Sequence, residues 1–573
     1  MKTLITIKYP RVLNLRQLVY NAAEKFGDKT YLKYIRQDKS VGEISFKGFS
    51  LLVEDLGVYF SLPENNCERI AILSENRYEW IVAYVAGIAS GKTVIPLDKE
   101  LDFDQATGFM ELAEADTLIY SAAFAEKVRA FAEKNTSIKR FICLDGFSER
   151  PASDRFTTLR LCIALGDEEI SYSEADFRKK RTDSSRVCSI IFTSGTTGTS
   201  KGVMLTEDNI MSCIQASANM VNISDKDTIF SVLPYHHTYE LCCGILTPIC
   251  IGCTVCINNS LKYFSKNIQR FKPTAMVLVP MFVSTLSKKI DSGIEKSGST
   301  KILVKGGKVV ANNFKKVGVD IRRLTFKKIH DSLGGRLRTI ICGGAALDPE
   351  LVRKFEEYGI YIAQGYGITE CAPLVSVIPW KKVKYDSVGV PIPGSVVKIM
   401  GTDDDGTEFD LPAGEIGEIC VKGPQVMAGY YKNPEATKEA FNSEGFFKTG
   451  DFGYMDDEGY IFITGRKKNI IILDNGKNVY PEEIEEYLYR LDIIKECVVC
   501  SRKVDDEDMI TAVIFPDYDK FKGLDDSEII ERFKSEIAKI NRNLPSFKQI
   551  HHIEIKKSEF EKTTTQKIKR FTV

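Results

Sequence analysis

Neither sign of charge dominates this sequence: 78 Lys and Arg face 78 Asp and Glu over 573 residues. That balance excludes a nucleic-acid binder that works through bulk positive charge. Long apolar runs are missing too. Trp80 to Ala89 and Leu241 to Cys256 are either shorter than the about 18 residues a membrane span needs or broken by Gly and Pro, so no transmembrane helix is expected. Met1 to Ile7 holds no sustained apolar stretch before Lys8, so no signal peptide is expected, and the cytoplasm is the expected location. Histidine is scarce, with five in the chain. Cysteine is not: the 15 thiols are odd in number and sit mostly in apolar runs, which fits a reducing compartment rather than a disulfide framework. Cys250, Cys253 and Cys256 have the spacing of iron–sulfur ligands, as do Cys497 and Cys500. Ile249 to Ile257 nevertheless reads as a buried strand, whose three-residue repeat sends the thiols to alternate faces, and this reading is preferred to a metal site.

What is present begins with Ile190-Ile191-Phe192-Thr193-Ser194-Gly195-Thr196-Thr197-Gly198-Thr199-Ser200-Lys201-Gly202-Val203. An apolar strand-like run stops, and almost every following residue is Gly, Ser or Thr, with one Lys. Such a stretch suits phosphate, because glycines let backbone N–H groups turn inward, hydroxyls add donors and the Lys charge meets the anion. The spacing of the ordinary nucleotide loop is not met, since Lys201 is followed by Gly202 rather than Ser or Thr. A surface linker would have polar, shapeless flanks, whereas these are strand-like before and ordered from Val203 to Thr206 after.

The length calls for at least two domains. Asn14 as an N-cap opens a helix from Leu15 to Lys25, and a strand pair and a second helix follow. Strands at Ile70 to Ser74, Thr93 to Leu97, Thr117 to Tyr120 and Arg140 to Cys143 then alternate with helices such as Tyr78 to Gly87. That alternation predicts an α/β fold of mostly parallel sheet covered by helices. Beyond the Gly/Ser/Thr loop, Ile229 to Pro234 runs into Tyr235-His236-His237-Thr238-Tyr239-Glu240, and His237, past a strand end, is a catalytic candidate. Zinc is disfavoured there because adjacent histidines lack ligand spacing.

Thr339 to Cys342 ends in Gly343-Gly344-Ala345, and Asp348-Pro349-Glu350 opens a helix. Ile360 to Ala363 ends in Gln364-Gly365-Tyr366-Gly367-Ile368-Thr369-Glu370. Glycines admit flat groups close to the backbone, Tyr366 offers a ring to a purine, and Thr369 and Glu370 offer oxygens to phosphate and Mg²⁺. Three such strand-to-loop transitions point to one nucleotide site at one edge of the sheet.

Residues 387–464 alternate short strands with Gly/Pro turns and predict an antiparallel β subdomain carrying Thr449-Gly450-Asp451, whose carboxylate suits two ribose hydroxyls. After Gly465-Arg466-Lys467-Lys468-Asn469 a small α+β domain is expected, dividing the chain into 1–465 and 466–573. Its helices lie near Glu482 to Leu491 and Ser527 to Asn541, the second with an apolar stripe of Ile529, Ile530, Phe533, Ile537 and Ile540. Its strands are Cys497 to Cys500, Ile510 to Phe515 and His552 to Ile555, and the tail Glu561 to Arg570 is basic.

With these pieces in order the sequence resembles the adenylate-forming superfamily of acyl-CoA synthetases, luciferases and peptide-synthetase adenylation domains. The motifs that carry it are the loop at 193–202, Tyr366 to Glu370, Thr449 to Asp451, Gly465 to Asn469 and the closing Lys562 to Arg570, and the match spans nearly the whole chain. Ser74 to Arg77, Leu233 to Glu240 and a long basic insert are similar to bacterial long-chain fatty acid–CoA ligases. The resemblance implies two half-reactions: a fatty carboxylate attacks MgATP to give acyl-AMP and pyrophosphate, and coenzyme A then displaces AMP. It also implies roles. Thr193, Ser194, Gly195, Thr196, Thr197, Gly198 and Lys201 would hold the β- and γ-phosphates. Gly343, Gly344 and Ala345 with Gln364, Gly365, Tyr366 and Gly367 would frame adenine. Thr369 would touch phosphate, Thr193 and Glu370 would hold Mg²⁺, and Asp451 and Arg466 would take the ribose. Lys567 would bridge the acyl carboxylate and the α-phosphate, a cation where two anions must meet. Lys468 would be the hinge of a swinging C-terminal domain, and Gly476-Lys477-Asn478 would face the thiol step. The sequence departs from many relatives at Gln566, where they carry Gly before the lysine.

Gly367 stands where acetate-specific relatives carry a bulky aromatic, so a medium or long acyl group is expected. Two alternatives to the coenzyme A ligase remain open: an acyl-AMP ligase that serves an acyl carrier protein, and a catalytically silent ATP- or acyl-binding regulator. From Ser284 to Arg338 the sequence has 14 Lys and Arg against four Asp and Glu, a basic insert that reads as a solvated face in preference to a peripheral membrane contact. No nucleic-acid partner is expected, and the oligomeric state is left open.

Overall fold

The computed structural model describes residues 7–65, 67–147, 153–179, 183–193, 200–295, 306–308, 310–311, 314, 319–473, 477–504, 507–562 and 568–573. The chain forms two compact units. The first takes the residues up to Val396 together with Lys422–Glu439; the second takes Val397–Val421 and Ala440–Val573.

Two mainly parallel sheets build the first unit. In an eight-stranded sheet, Val187–Thr193, Thr93–Leu97, Arg69–Leu73, Thr117–Tyr120, Arg140–Cys143 and Phe156–Thr158 lie side by side in parallel. Lys201–Thr206 and then Gly429–Tyr430 add antiparallel strands at one edge. In a nine-stranded sheet the parallel run is Tyr361–Gly367, Thr339–Cys342, Ala275–Leu278, Thr228–Ser231, Thr254–Ile257 and Thr30–Ile35. Strands such as Thr117–Tyr120 and Ala275–Leu278 are buried at every residue, which is why their sequences are continuously apolar rather than alternating.

Helix starts follow their caps. The Asn14 side chain accepts from the N–H of Gln17 to open Leu15–Phe26, and Asp348 accepts from that of Glu350 to open Pro349–Glu357. Four cations of the described basic insert are engaged within the fold. Arg322 pairs with Asp320, Arg323 donates to the carbonyls of Leu337 and Gly335, Lys308 pairs with Glu357, and Arg338 with Asp227. No helix of the described residues is long and apolar enough to cross a membrane.

The second unit holds a five-stranded antiparallel sheet, in the order Glu408–Asp410, Val396–Thr402, Gly417–Lys422, Phe447–Met455, Ile461–Arg466. It also holds a three-stranded sheet of Ile494–Val504, Glu507–Pro516 and His552–Ile555. Helices Pro481–Tyr489 and Asp526–Asn541 cover that sheet, and Ile529, Phe533, Ile537 and Ile540 are buried along the expected stripe.

Two expectations are corrected. Ile249 to Ile257 is not one strand. Helix Thr247–Ile251 ends at Gly252, whose φ of +91° suits glycine, and the strand Thr254–Ile257 follows. A short apolar run does not distinguish helix from strand by its pattern. The antiparallel subdomain also differs from 387–464: Val390–Pro391 joins the nine-stranded sheet, and Gly429–Tyr430 joins the eight-stranded one.

Candidate active site

The Gly/Ser/Thr stretch leaves one strand and enters the next, since Val187–Thr193 and Lys201–Thr206 pair antiparallel with Thr193 opposite Lys201. Thr193 Oγ1 donates to the Lys201 carbonyl at 3.4 Å, a long contact. Ser194, Gly195, Thr196, Thr197 and Gly198 lie outside the described residues, as does Lys567.

Lys201 Nζ stands 4.7 Å from the centroid of the Tyr430 ring. The Tyr430 hydroxyl donates to Glu370 Oε1 at 2.9 Å. Burial first, and then the neighbouring Glu370 charge, push the Tyr430 phenol well above its ordinary pKa, so it is a donor at neutral pH. The arrangement is a cation, a phenol and a carboxylate in series. Backbone pairing holds it: Met427 N–H donates to the Glu370 carbonyl at 2.8 Å, Ala428 N–H to Met204 at 3.0 Å, and Tyr431 N–H to Gly202 at 2.7 Å. Nothing local in the sequence marks Tyr430, because its strand forms only against Val203 and Met204, more than 200 residues earlier.

Glu370 sits on the short turn Thr369–Cys371, between Gly367 and Pro373. Those two residues line an apolar cavity that encloses about 670 Å³ of empty space, its open mouth included. Gly343, Gly344, Gly365 and Tyr366 also line it. Strand pairing sets Cys342 opposite Gln364, and so brings Gly343 and Gly344 beside Gly365 to Gly367, which continue their strand and pair with Leu374 to Val377 instead of forming the loop expected from the sequence. Ala345 is exposed, and Gln364 is buried with its Oε1 lacking a hydrogen-bond partner among the described residues. That acceptor is one the fold itself does not satisfy. Gly367 has a packing reason beyond the open pocket: a Cβ there would strike the Pro373 carbonyl oxygen. Tyr366 is buried on the cavity wall, so most of its ring is inside the fold.

The histidine segment is stapled by Asn76, which donates to the Leu233 carbonyl at 2.7 Å and accepts from Tyr235 N–H at 3.2 Å. His236 Nε2 lies 3.4 Å from the Asp98 carboxylate, and the rings of His236 and His237 are 4.0 Å apart. Beneath them Glu240 is fully buried, accepts from Ser231 Oγ at 2.5 Å, and is pushed up to about 8 by burial.

In the second unit Asp451 and Arg466 face each other across paired strands, with Arg466 Nε 2.7 Å from Asp451 Oδ1. Gly450 N–H donates to Glu418 Oε1 at 3.1 Å, while Lys467 Nζ lies 2.7 Å from Glu418 Oε2. Lys468 is held below its ordinary pKa by burial and then by Arg466 and Arg570. Lys477 Nζ lies 4.6 Å from the Phe547 ring centroid.

Profiles of known families match most of this chain: that of the AMP-binding enzymes over residues 19–431, and that of their C-terminal domain over 468–573. Among curated relatives, a chloroplastic long-chain-fatty-acid–acyl-carrier-protein ligase of Arabidopsis thaliana is 27% identical over 90% of this chain and 78% of its own length. A long-chain-fatty-acid–CoA ligase of Mycobacterium tuberculosis is 28% identical over 80% of this chain and 74% of its own. A probable acyl-activating enzyme of Arabidopsis thaliana is 30% identical over 82% and 73%. Among solved structures, ATP-bound MatB from Rhodopseudomonas palustris has the same fold, with a TM-score of 0.75 and 24% identity over 98% of each chain. Matched over well over half its length, the chain belongs to the family of AMP-binding enzymes.

Proposed function

We propose that the protein is an acid–thiol ligase that activates a medium- or long-chain fatty acid with ATP and passes the acyl group to coenzyme A. The observation that carries this reading is an apolar cavity lined by Gly367 and Pro373, which flank the turn that brings Glu370 to Tyr430 and Lys201. Its wall of Val221, Ile223, Ile229, Ile251, Ile341 and Leu374 offers a hydrocarbon chain nothing to hydrogen-bond and everything to bury against.

In the first step a carboxylate oxygen of the acid attacks the α-phosphorus of ATP. An acyl C–O–P linkage forms, and the bond from the α-phosphorus to the bridging oxygen breaks, with pyrophosphate leaving. In the second, the thiol sulfur attacks the acyl carbon, AMP leaves with its phosphate oxygen, and the thiol proton passes to solvent. Both anions must approach in the first step, so Lys201 and Lys567 act by charge. The backbone N–H groups after Thr193 take the terminal phosphates. Asp451 takes the ribose hydroxyls. Mg²⁺ fits the donors present, because Tyr430 engages Glu370 Oε1 and the carboxylate retains Oε2, with the Thr193 hydroxyl as a further hard oxygen. One carboxylate plus substrate phosphates is a set this ion accepts. Held there, Mg²⁺ would neutralise charge on the departing pyrophosphate.

The relative that serves an acyl carrier protein supports a second acceptor. Product analysis separates the two: incubation with palmitate, MgATP and either coenzyme A or holo-acyl carrier protein. Palmitoyl-CoA is expected. Thioester on the carrier protein alone would favour the second reading, and no thioester with either would overturn both.

A further inference from the structure

The cavity crosses its sheet from one end of the parallel strands to the other. Gly343 and Gly344, just past one strand, and Gly365 and Gly367, at the end of the next, bound it at the carboxyl ends. Val221, Ile223, Ile251 and Ile229, which is next to the start of its strand, bound it toward the amino ends. A hydrocarbon tail that enters with its carboxylate at these glycines therefore points at the amino ends.

What stands at that end is an irregular segment of residues 7–13. Tyr9 packs on the cluster that includes Ile223, Ile229, Ile251 and Cys253. The segment is clamped by Asn219, from the last turn of helix Glu207–Met220. Asn219 Oδ1 accepts from the N–H of Lys8 at 2.6 Å and of Tyr9 at 3.1 Å, and its Nδ2 donates to the Tyr9 carbonyl at 3.3 Å. Arg11, farther along, reaches Asp208 at 3.5 Å near the start of the same helix. The Tyr9 hydroxyl is pushed up to about 12 by burial and then by Cys253, Cys250, Asp225 and Asp227, all just ahead of the strands Thr228–Ser231 and Thr254–Ile257.

We propose that Tyr9, clamped by Asn219 behind the wall of Ile223, Ile229 and Ile251, backs the far end of the acyl cavity and sets the longest acyl chain the enzyme accepts. The inference rests on the proposed reading of the cavity as the acyl site. A chain longer than the cavity must push the ring aside and break the clamp, or leave its excess methylenes uncovered.

The test measures kcat/KM for pyrophosphate release with saturated acids from octanoate to behenate, for wild type, Tyr9→Ala, Tyr9→Phe and Asn219→Ala, each checked by thermal melting. Tyr9→Ala should raise about tenfold the preference for an acid two carbons beyond the wild-type cut-off, relative to the wild-type optimum. Asn219→Ala should move the cut-off the same way, and Tyr9→Phe should keep it. An unchanged cut-off in folded Tyr9→Ala and Asn219→Ala overturns the inference and leaves the acyl reading standing. A wild type that turns over none of these acids overturns the acyl reading and this role of Tyr9 with it. If Tyr9→Ala fails to fold, Tyr9→Leu and Asn219→Ala decide the matter by the same cut-off.

Discussion

The two sheets of the first unit share a plan, each with six strands in parallel register and antiparallel strands at an edge, yet the nine-stranded one packs Phe326, Phe355 and Tyr358 against some of its residues and leaves a hollow beside others, where the eight-stranded one is filled. Against the eight-stranded sheet, Leu73, Leu97, Tyr120 and Phe141 pack with Phe103 and Phe131, and the rings of Phe109 and Phe192 stack at 4.3 Å. Against the nine-stranded sheet, the residues facing the cavity include Gly343, Gly344, Ala363, Gly365, Gly367, Ser217 and Cys243. Topology is the same in kind; side-chain volume differs. A parallel sheet becomes a binding site where small residues collect at its strand ends, and a structural core where aromatic ones do.

That contrast can be broken at either sheet. Phe141→Ala, in the filled one, should cost about 3–5 kcal/mol of stability in urea unfolding and leave the ranking of acids unaltered. A changed ranking would mean the filled sheet also shapes the substrate site. Ser217→Phe, in the hollow one, should alter that ranking. The ring narrows the cavity that Ser217 lines, so kcat/KM for palmitate relative to hexanoate should fall about 100-fold, at a stability cost below that of Phe141→Ala, about 1–3 kcal/mol. Equal loss for both acids would show that the cavity does not hold the chain.

A smaller effect is expected beside the cavity. Tyr430→Phe keeps the ring under Lys201 but removes the donor to Glu370, and should lower kcat/KM for MgATP about tenfold, the scale of a hydrogen bond to a charged group. No change would remove Tyr430 from the site.

An effect read only as a pH profile concerns Glu240, a carboxyl buried on the hollow side. Its pKa in the fold, about 8, is above its unfolded value of 4.5, so the folded state binds the proton more tightly. The stability this proton brings is fully present below the unfolded pKa and lost as pH rises from about 4.5 through about 8. Glu240→Gln should flatten the fall in melting temperature across that window. An unaltered pH profile would show that Glu240 does not titrate there.

Elements set by local rules were legible in the sequence. Asn14 and the Asp348-Pro349 pair announce helix starts, and apolar runs such as Thr117 to Tyr120 announce buried parallel strands. What was hidden depends on distant parts of the chain. Gly429–Tyr430 becomes a strand only because Val203 and Met204 lie beside it, and Tyr430 meets Glu370 for the same reason. Nor does anything local in Tyr9 or Asn219 mark them as one clamp, since the pairing spans about 210 residues. The apolar pattern from Ile249 to Ile257 misled because Pro248 and Gly252 outweigh it.

The central claim is that this cavity presents an apolar acid to ATP. The most direct measurement is ATP–pyrophosphate exchange without any thiol, driven by acids from acetate to stearate. The account predicts exchange that rises from negligible with acetate to a maximum with a medium or long chain. Exchange that is strongest with acetate, or indifferent to chain length, would contradict it.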